Sequence, residues 1–187
     1  QPPVDEWQAL SLNYTSGTTG NPKGVVYHHR GAFLNAVGNV MVFGLTKESV
    51  YLWTLPMFHC NGWTYSWAVT AAAGTHVCLR RPEPAAIFSM IEKHGVSHMC
   101  AAPTVLTSMY SSPLAWEQDL TGLTIETAGA SPAPQVIRTM ERMGARILHG
   151  YGLTETYGPH TICAEQPAWD DMSLEDRAQV KARQGVS

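Results

Sequence analysis

The sequence is short of the features that identify several classes of protein. Its 12 Lys and Arg residues stand against 15 Asp and Glu residues, and a net charge of -3 gives no reason to expect a nucleic-acid partner. No apolar run approaches the roughly 18 residues of a membrane-spanning helix, and the first residues show no signal peptide. We therefore expect neither a nucleic-acid partner nor a transmembrane segment, and the sequence leaves the oligomeric state open.

Cysteine is scarce and is not arranged in pairs. The four cysteines, Cys60, Cys78, Cys100 and Cys163, include no C-x-x-C motif, so neither a zinc site nor a thioredoxin-type motif is indicated. Most of them lie in apolar stretches, which predicts buried thiols. A reducing compartment fits this usage better than secretion does, and we expect a cytoplasmic location.

What the sequence does contain is a regular alternation of short β-like runs and longer helical runs. With 44% hydrophobic and 14% charged residues, it can form a packed core. The alternation predicts an α/β fold with a mainly parallel sheet and flanking helices. Predicted strands cover residues 9–15, 24–27, 50–55, 75–79, 96–101, 123–128, 146–149 and 160–163; predicted helices cover 29–43, 62–73, 84–94, 103–110, 134–143 and 173–183. Polar loops follow several strands, so we expect them to converge on one cleft.

The loop after the first predicted strand has the composition of a phosphate-binding segment. Residues 14–24 read Tyr-Thr-Ser-Gly-Thr-Thr-Gly-Asn-Pro-Lys-Gly. Glycines allow the backbone to approach an anion, and Lys23 supplies a positive charge. Hydroxyl donors occur at Thr15, Ser16, Thr18 and Thr19. The spacing differs from that of the P-loop because Gly24 follows Lys23. A flexible turn between two strands is the alternative.

A second segment combines glycines, a hydroxyl and a carboxylate. Residues 149–156 read His-Gly-Tyr-Gly-Leu-Thr-Glu-Thr, and we expect a loop over residues 150–158. Mg²⁺ prefers oxygen ligands and usually retains water, so Glu155 is a candidate magnesium ligand. A surface turn is the alternative for this segment.

Two further loops follow predicted strands. Residues 55–63 read Leu-Pro-Met-Phe-His-Cys-Asn-Gly-Trp, and residues 127–132 read Thr-Ala-Gly-Ala-Ser-Pro. Without other information, the first indicates ordinary aromatic packing and the second indicates a strand end followed by a turn and a helix start.

Taken in order along the chain, these segments resemble the signature motifs of the adenylate-forming superfamily, which includes acyl-CoA synthetases, luciferases and peptide-synthetase adenylation domains. The segment at residues 55–63 is most similar to fatty-acyl and methylmercaptopropionate CoA ligases. The resemblance implies that residues 1–187 are part of the large N-terminal domain of such an enzyme. It also implies that the chain is an internal piece, with the AMP-binding domain incomplete and the C-terminal mobile domain absent.

The resemblance implies a role in ATP binding for the first loop and for the segment at residues 149–156. The residues implied in phosphate contact are Thr15, Ser16, Gly17, Thr18, Thr19, Gly20 and Lys23. Tyr151 would pack on adenine beside Gly152, Thr154 would touch the α-phosphate, and Glu155 would hold Mg²⁺.

The other two segments are implied to form the carboxylate site. Phe58 and His59 would border the carboxylate, with His59 orienting it, and Trp63 would be a wall of the acyl pocket. An imidazole can donate a hydrogen bond to a developing acyl phosphate. The backbone that would lie against adenine and the acyl pocket belongs to Gly129, Ala130 and Ser131.

The reaction implied is the activation of a fatty or other medium-size apolar acid by Mg·ATP, followed by thioester formation with coenzyme A. The alternatives are an adenylating ligase whose acceptor is a carrier protein, and a non-catalytic nucleotide-binding module. Family members also use a ribose-binding Asp and a mobile-domain Lys, and neither can be found in this sequence. We therefore expect the isolated chain to be inactive or nearly so.

Overall fold

A six-stranded sheet forms the centre of the molecule. The structure, a computed structural model, describes residues 3–15 and 20–185. The strands are β1 (Ala9–Thr15), β2 (Lys23–His28), β3 (Val50–Trp53), β4 (Thr75–Cys78), β5 (His98–Ala101), β6 (Thr124–Thr127), β7 (Arg146–Leu153) and β8 (Gly158–Cys163). The sheet has the order β4-β3-β5-β6-β7-β8; its first five strands are parallel, and β8 pairs antiparallel with β7. The predicted α/β fold with a mainly parallel sheet is confirmed.

Helices cover both faces of this sheet. They are α1 (His29–Phe43), α2 (Cys60–Trp63), α3 (Tyr65–Ala71), α4 (Pro84–His94), α5 (Pro103–Ser111), α6 (Pro134–Arg142) and α7 (Leu174–Lys181), with short 3-10 turns at Pro113–Glu117, Thr154–Thr156 and Pro167–Trp169. Neighbouring side chains of a strand point to opposite faces. Leu52 and Ile125 therefore pack with α4–α7, whereas Tyr51 and Leu148 pack with α1 and α3. Each large apolar side chain buried in this way contributes about 1.5–3 kcal/mol.

Most helix boundaries follow from local sequence signals. Pro84, Pro103 and Pro134 each open a helix, where the missing N–H of proline costs nothing. Helix α1 begins with an unexpected cap, because the Nδ1 atom of His28 accepts a hydrogen bond from the Gly31 amide at 3.0 Å. The predicted helices at residues 29–43 and 84–94 therefore agree with the structure at both ends.

Helix α7 lies within the predicted helix over residues 173–183, and its inner face is buried. Ser173 caps the helix, with Oγ accepting a hydrogen bond from the Asp176 amide at 3.1 Å. Lys181, however, is 1% exposed, and its Nζ lies 2.5 Å from a carboxylate oxygen of both Glu141 and Glu165. Burial alone would raise the pKa of Glu165, but hydrogen bonds from Lys181 and a neighbouring arginine leave it below its usual value. A buried lysine was not visible in the helix pattern because its carboxylate partners are distant in sequence.

The predicted helix over residues 62–73 is wrong in its first part. The segment labelled α2 and the residue after it, Cys60 to Thr64, form a left-handed turn and not a right-handed helix, with φ between +47° and +66° at all five residues. This backbone costs roughly 1–2 kcal/mol per non-glycine residue. Gly62 adopts it freely, and a Cβ atom there would lie 2.4 Å from the ring of Trp53. The turn therefore results from tertiary packing, which no helical pattern reports.

Strands β1 and β2 form a separate antiparallel hairpin. Thr15 pairs with Lys23 at its loop end, so the predicted phosphate loop closes this hairpin.

The prediction that most of the cysteines are buried is confirmed: Cys60, Cys100 and Cys163 are buried, and Cys78 is exposed. Over residues 3–15 and 20–185, no helix has both the length and the apolar character needed to cross a membrane.

Candidate functional site

The segments that follow β3, β6 and β7 meet at the carboxyl ends of these strands. Trp63 belongs to the segment after β3 and lies between the segments after β6 and β7. Gly158 has a φ of +111°, and a Cβ atom there would lie 3.0 Å from the Cα atom of Trp63. A Cβ atom on Gly129, where φ is +83°, would lie 3.8 Å from the Trp63 ring. The predicted convergence of these loops is therefore present in the structure.

The predicted loop over residues 150–158 is wrong for its first half. Residues as far as Leu153 continue β7 and pair with β8, with an irregularity between Tyr151 and Gly152. The glycines indicated a loop, but pairing with the edge strand extends the backbone there. The turn itself is confined to Thr154–Thr156, and the Leu153 amide donates to the Thr156 hydroxyl at 2.9 Å.

Thr154 is held by two side chains from other parts of the chain. The thiol of Cys60 donates to its hydroxyl oxygen at 3.3 Å, and the Tyr27 hydroxyl donates to its carbonyl oxygen at 2.6 Å. Burial raises the pKa of the Tyr27 phenol, so this group remains protonated and acts as a donor. Glu155, the next residue, is exposed.

The β1–β2 hairpin is bonded to both neighbouring segments. The side chains of Ser11 and Asn13 each donate to the Asn61 side-chain oxygen at 2.9 Å. On the other side, the ring centroids of Tyr27 and Tyr157 lie 4.1 Å apart. The Tyr157 hydroxyl accepts a hydrogen bond, 3.1 Å long, from the backbone amide of His28. The hairpin that carries the predicted phosphate loop is thereby fixed to the Thr154 turn and to the left-handed turn.

Sequence reasoning missed Tyr27, Cys60, Asn61 and Tyr157. One local sign was present in the sequence. The polar residues Ser11 and Asn13 are two positions apart and therefore share one face of β1, which indicates that this face contacts another polar segment.

Three of the predicted phosphate-binding residues, Thr15, Gly20 and Lys23, lie at the loop end of the hairpin. Gly20 and Lys23 are exposed, and Thr15 is partly buried. Four predicted phosphate ligands, Ser16, Gly17, Thr18 and Thr19, lie outside the described residues.

The predicted carboxylate-site residues include several that are open to solvent. Phe58 is 81% exposed, and its ring centroid lies 5.9 Å from that of the exposed His59. Gly129, Ala130 and Ser131 are also exposed, whereas Trp63 is partly buried. These side chains and backbone groups are accessible to a ligand at the carboxyl edge of the sheet.

The donor set around Glu155 fits Mg²⁺ delivered with a nucleotide. Among the residues that the structure describes, no group of three His, Cys, Asp or Glu side chains could form a metal cage. Mg²⁺ commonly takes one or two carboxylates and completes its shell with substrate phosphates and water. Glu155, next to the Thr154 hydroxyl, suits that kind of site.

A buried carboxylic acid lies behind the site. Glu126 of β6 is 1% exposed and accepts a hydrogen bond from the Tyr65 hydroxyl, while its Oε1 atom has no hydrogen-bond partner in the described part of the chain. Burial raises its pKa to about 7, and the Tyr65 hydrogen bond opposes that rise. A Cβ atom on Gly150 would lie 2.8 Å from this oxygen, so the glycine leaves the space that the carboxyl occupies beside β7.

Comparison with known proteins identifies the family of the chain. The family described as AMP-binding enzyme matches residues 1–186. The peroxisomal acetate/butyrate–CoA ligase of Arabidopsis thaliana is 50% identical over 190 aligned residues, which cover 100% of this chain and 33% of that protein. The 4-hydroxybutyrate–CoA ligase 2 of Metallosphaera sedula is 48% identical over 189 residues, covering 99% of this chain and 34% of that protein.

Solved structures give the same result for the fold. The inhibitor-bound N-terminal domain of FACL13 from Mycobacterium tuberculosis matches with a TM-score of 0.79 and 28% identity over 87% of this chain and 42% of that one. The o-succinylbenzoate CoA synthetase of Bacillus subtilis in complex with AMP matches with a TM-score of 0.76 and 25% identity over 91% of this chain and 34% of that one.

The chain spans about a third of the length of these curated relatives. The family match extends over nearly all of its residues and includes every segment that meets at the carboxyl edge of the sheet. The chain therefore belongs to the AMP-binding enzyme family.

Proposed function

We propose that the chain is the ATP- and carboxylate-binding part of a longer acyl-CoA synthetase. One observation carries the proposal: the hairpin with the phosphate-type loop, the Trp63 segment and the Thr154–Glu155 turn are bonded to one another at the carboxyl edge of the sheet. The relatives named as CoA ligases support this assignment. The mobile domain that completes such an enzyme would come from outside residues 1–187.

In the proposed first half-reaction, a carboxylate oxygen of the acid attacks the α-phosphorus of Mg·ATP. The bond from that phosphorus to the bridging oxygen breaks, and pyrophosphate leaves. Lys23, the loop amides and the Thr154 hydroxyl would neutralise the phosphate charge and hold the reacting atoms in line. Mg²⁺, held by Glu155 and the phosphates, would supply further charge neutralisation.

The second half-reaction gives the thioester. The coenzyme A thiol, its proton lost to solvent, attacks the acyl carbon; the bond from that carbon to the phosphate oxygen breaks, and AMP leaves with the electrons of this bond. His59 would orient the carboxylate in the first step, because its exposed imidazole can donate to an oxygen of the acid.

We propose a short to medium-size apolar acid as the substrate. Two relatives are named for acetate or butyrate and for 4-hydroxybutyrate, which are shorter than the fatty acids that the sequence motif suggested. Trp63, between Gly129 and Gly158, would limit the space for an acyl chain. A cytoplasmic location remains a prediction, and the Arabidopsis relative is named as peroxisomal.

The test is carboxylate-dependent ATP–pyrophosphate exchange by the full-length enzyme over straight-chain acids of two to ten carbons and aromatic acids, with and without coenzyme A. We expect exchange with one class of acid and a thioester when coenzyme A is added. Exchange without a CoA thioester would instead favour a carrier-protein acceptor. Binding of Mg·ATP without exchange for any acid would favour a nucleotide-binding module. The 187-residue chain alone is expected to show little or no turnover.

A further inference from the structure

Thr154 receives a hydrogen bond at its side chain and another at its backbone, from residues that no family motif assigns to ATP. We propose that Cys60 and Tyr27 are positioning residues for adenylation, which direct the hydroxyl proton of Thr154 toward the α-phosphate. This proposal rests on the proposed function, because it assumes that Thr154 contacts that phosphate.

The direction of the Cys60 hydrogen bond determines what the Thr154 hydroxyl can do. A hydroxyl has one proton to donate and two lone pairs that can accept. Because the Cys60 thiol donates to Thr154 Oγ1 at 3.3 Å, one lone pair is occupied and the hydroxyl proton remains available. An ionised phosphate oxygen can accept but cannot donate, so this arrangement presents the group that it requires.

Tyr27 fixes the backbone of the same residue. Its hydroxyl donates to the Thr154 carbonyl oxygen at 2.6 Å, and the side chain has no exposure to solvent. The Tyr27 ring also lies against Tyr157, just beyond the turn, with ring centroids 4.1 Å apart. Because Tyr27 belongs to β2, the strand that begins at Lys23, these contacts also fix that strand against the Thr154 turn.

The left-handed turn from Cys60 to Thr64 fixes the thiol independently. Backbone strain of this kind persists where the surrounding structure holds it, and it clusters at functional sites. Here Asn61 is held by Ser11 and Asn13 of β1 at 2.9 Å each. The same turn therefore ties the thiol to the hairpin on one side and to Thr154 on the other.

The experiment compares Cys60→Ala with Cys60→Ser in the full-length enzyme by ATP–pyrophosphate exchange. Alanine removes the donor, and serine keeps a donor of similar size at the same place. We expect Cys60→Ala to lower kcat by about 3- to 10-fold, the range for loss of one neutral hydrogen bond, with little change in the KM for ATP. Cys60→Ser should retain most of the activity. Cys163→Ala, which removes a buried thiol on β8, is the matched control and should behave as wild type.

A double-mutant cycle tests whether Cys60 acts through Thr154. In a Thr154→Val background the acceptor is gone, so adding Cys60→Ala should cause no further loss. Tyr27→Phe should lower kcat to a similar degree as Cys60→Ala, whereas Tyr110→Phe, a change to a partly buried tyrosine on α5, should not.

The outcomes separate this proposal from the proposed function. If wild-type enzyme shows no exchange, both are overturned. If wild type is active but Cys60→Ala matches it, or Cys60→Ser loses as much as Cys60→Ala, the positioning role is overturned and the proposed function stands. The same holds if the losses from Cys60→Ala and Thr154→Val simply add. Thermal unfolding of each variant accompanies the assay, and a fall in kcat only in proportion to the folded fraction also overturns the positioning role.

Discussion

Polar groups at the carboxyl edge of the sheet are open to solvent, whereas those beneath α7 are buried and paired. Beneath α7, the Lys181 ammonium is buried between two carboxylates that neutralise it. At the carboxyl edge, Glu155, His59 and Lys23 are exposed. The segments that carry these three residues are joined to one another by single hydrogen bonds. The difference teaches that polar groups saturated by the fold serve stability, whereas those left accessible are available to a ligand.

The largest effect should come from removing the buried charge beneath α7. In Lys181→Met the apolar stem is kept and the charge is lost, which leaves Glu141 and Glu165 without their shared partner. We expect the free energy of unfolding to fall by about 3 kcal/mol, the low end for a broken buried ion pair, because Glu141 keeps Arg177 and Glu165 keeps Arg146. Denaturant unfolding of the full-length enzyme measures this change, and the KM for ATP should be unchanged. Lys47→Met, which removes an exposed lysine paired with Glu48 at 3.6 Å, is the control and should change stability little. A stable Lys181→Met variant with altered ATP binding would reverse the comparison.

The next effect lies at the accessible edge. Glu155→Ala should lower kcat/KM for adenylation by about 10²- to 10³-fold, because it removes the carboxylate proposed to hold Mg²⁺. Thermal stability should not change, since the side chain is exposed. Glu117→Ala, which also removes an exposed carboxylate from a 3-10 turn, is the matched control. The proposed role of Glu155 fails if the two variants are equally active.

Glu126 sharpens the comparison because it is as buried as Lys181 but has no cationic partner among the described residues. Its pKa is raised from 4.5 to about 7 by burial, so the folded protein holds this proton more tightly than the unfolded chain does. Stability should therefore fall as pH rises from about 4.5 to about 7 and stay lower above that range.

Glu126→Gln mimics the protonated acid and removes this dependence. It should match wild type at pH 5 and exceed it at pH 8 by at most about 3 kcal/mol, the value of the pKa difference. Denaturant midpoints of the full-length enzyme across this pH range give the measurement. A wild-type curve as flat as that of the variant would show that Glu126 is ionised at little cost.

The smallest effect concerns Phe58. Because this ring is 81% exposed, Phe58→Ala should leave stability unchanged and raise the KM for the acid by about 3- to 10-fold, the value of a partly buried aromatic contact. The KM for ATP should stay the same. Trp116→Ala, at a ring that is 90% exposed and far along the chain, should change neither constant. An equal rise in the KM for both substrates would argue against a contact specific to the acid.

Local signals predicted much of the fold. The helix Pro84–His94 lies between an N-terminal proline and Gly95, whose φ is +60°, and both boundaries could be predicted from the sequence. The left-handed turn and the extension of β7 could not, because Gly62 fits against Trp53 and β7 pairs with β8 through contacts that are not local.

Some residues of the candidate site could likewise be predicted from the sequence, and others could not. Lys23, Thr154 and Glu155 belong to recognisable motifs, and their proposed roles come from that resemblance. Tyr27 could not be identified because its hydroxyl reaches Thr154 across 127 positions of sequence, and the Cys60 contact spans 94. Motifs of single segments report ligand contacts, whereas the contacts that hold the segments together depend on the whole fold.

The left-handed turn has a consequence for the entropy of binding. A loop that becomes ordered around its ligand loses about 1–2 kcal/mol of backbone conformational entropy per residue at that moment. The segment from Cys60 to Thr64 is already held in one shape by Trp53 and by the Asn61 hydrogen bonds. The conformational freedom of this segment is lost when the chain folds. An acid bound as proposed would therefore meet a preorganised wall, and ordering that wall would not reduce its affinity.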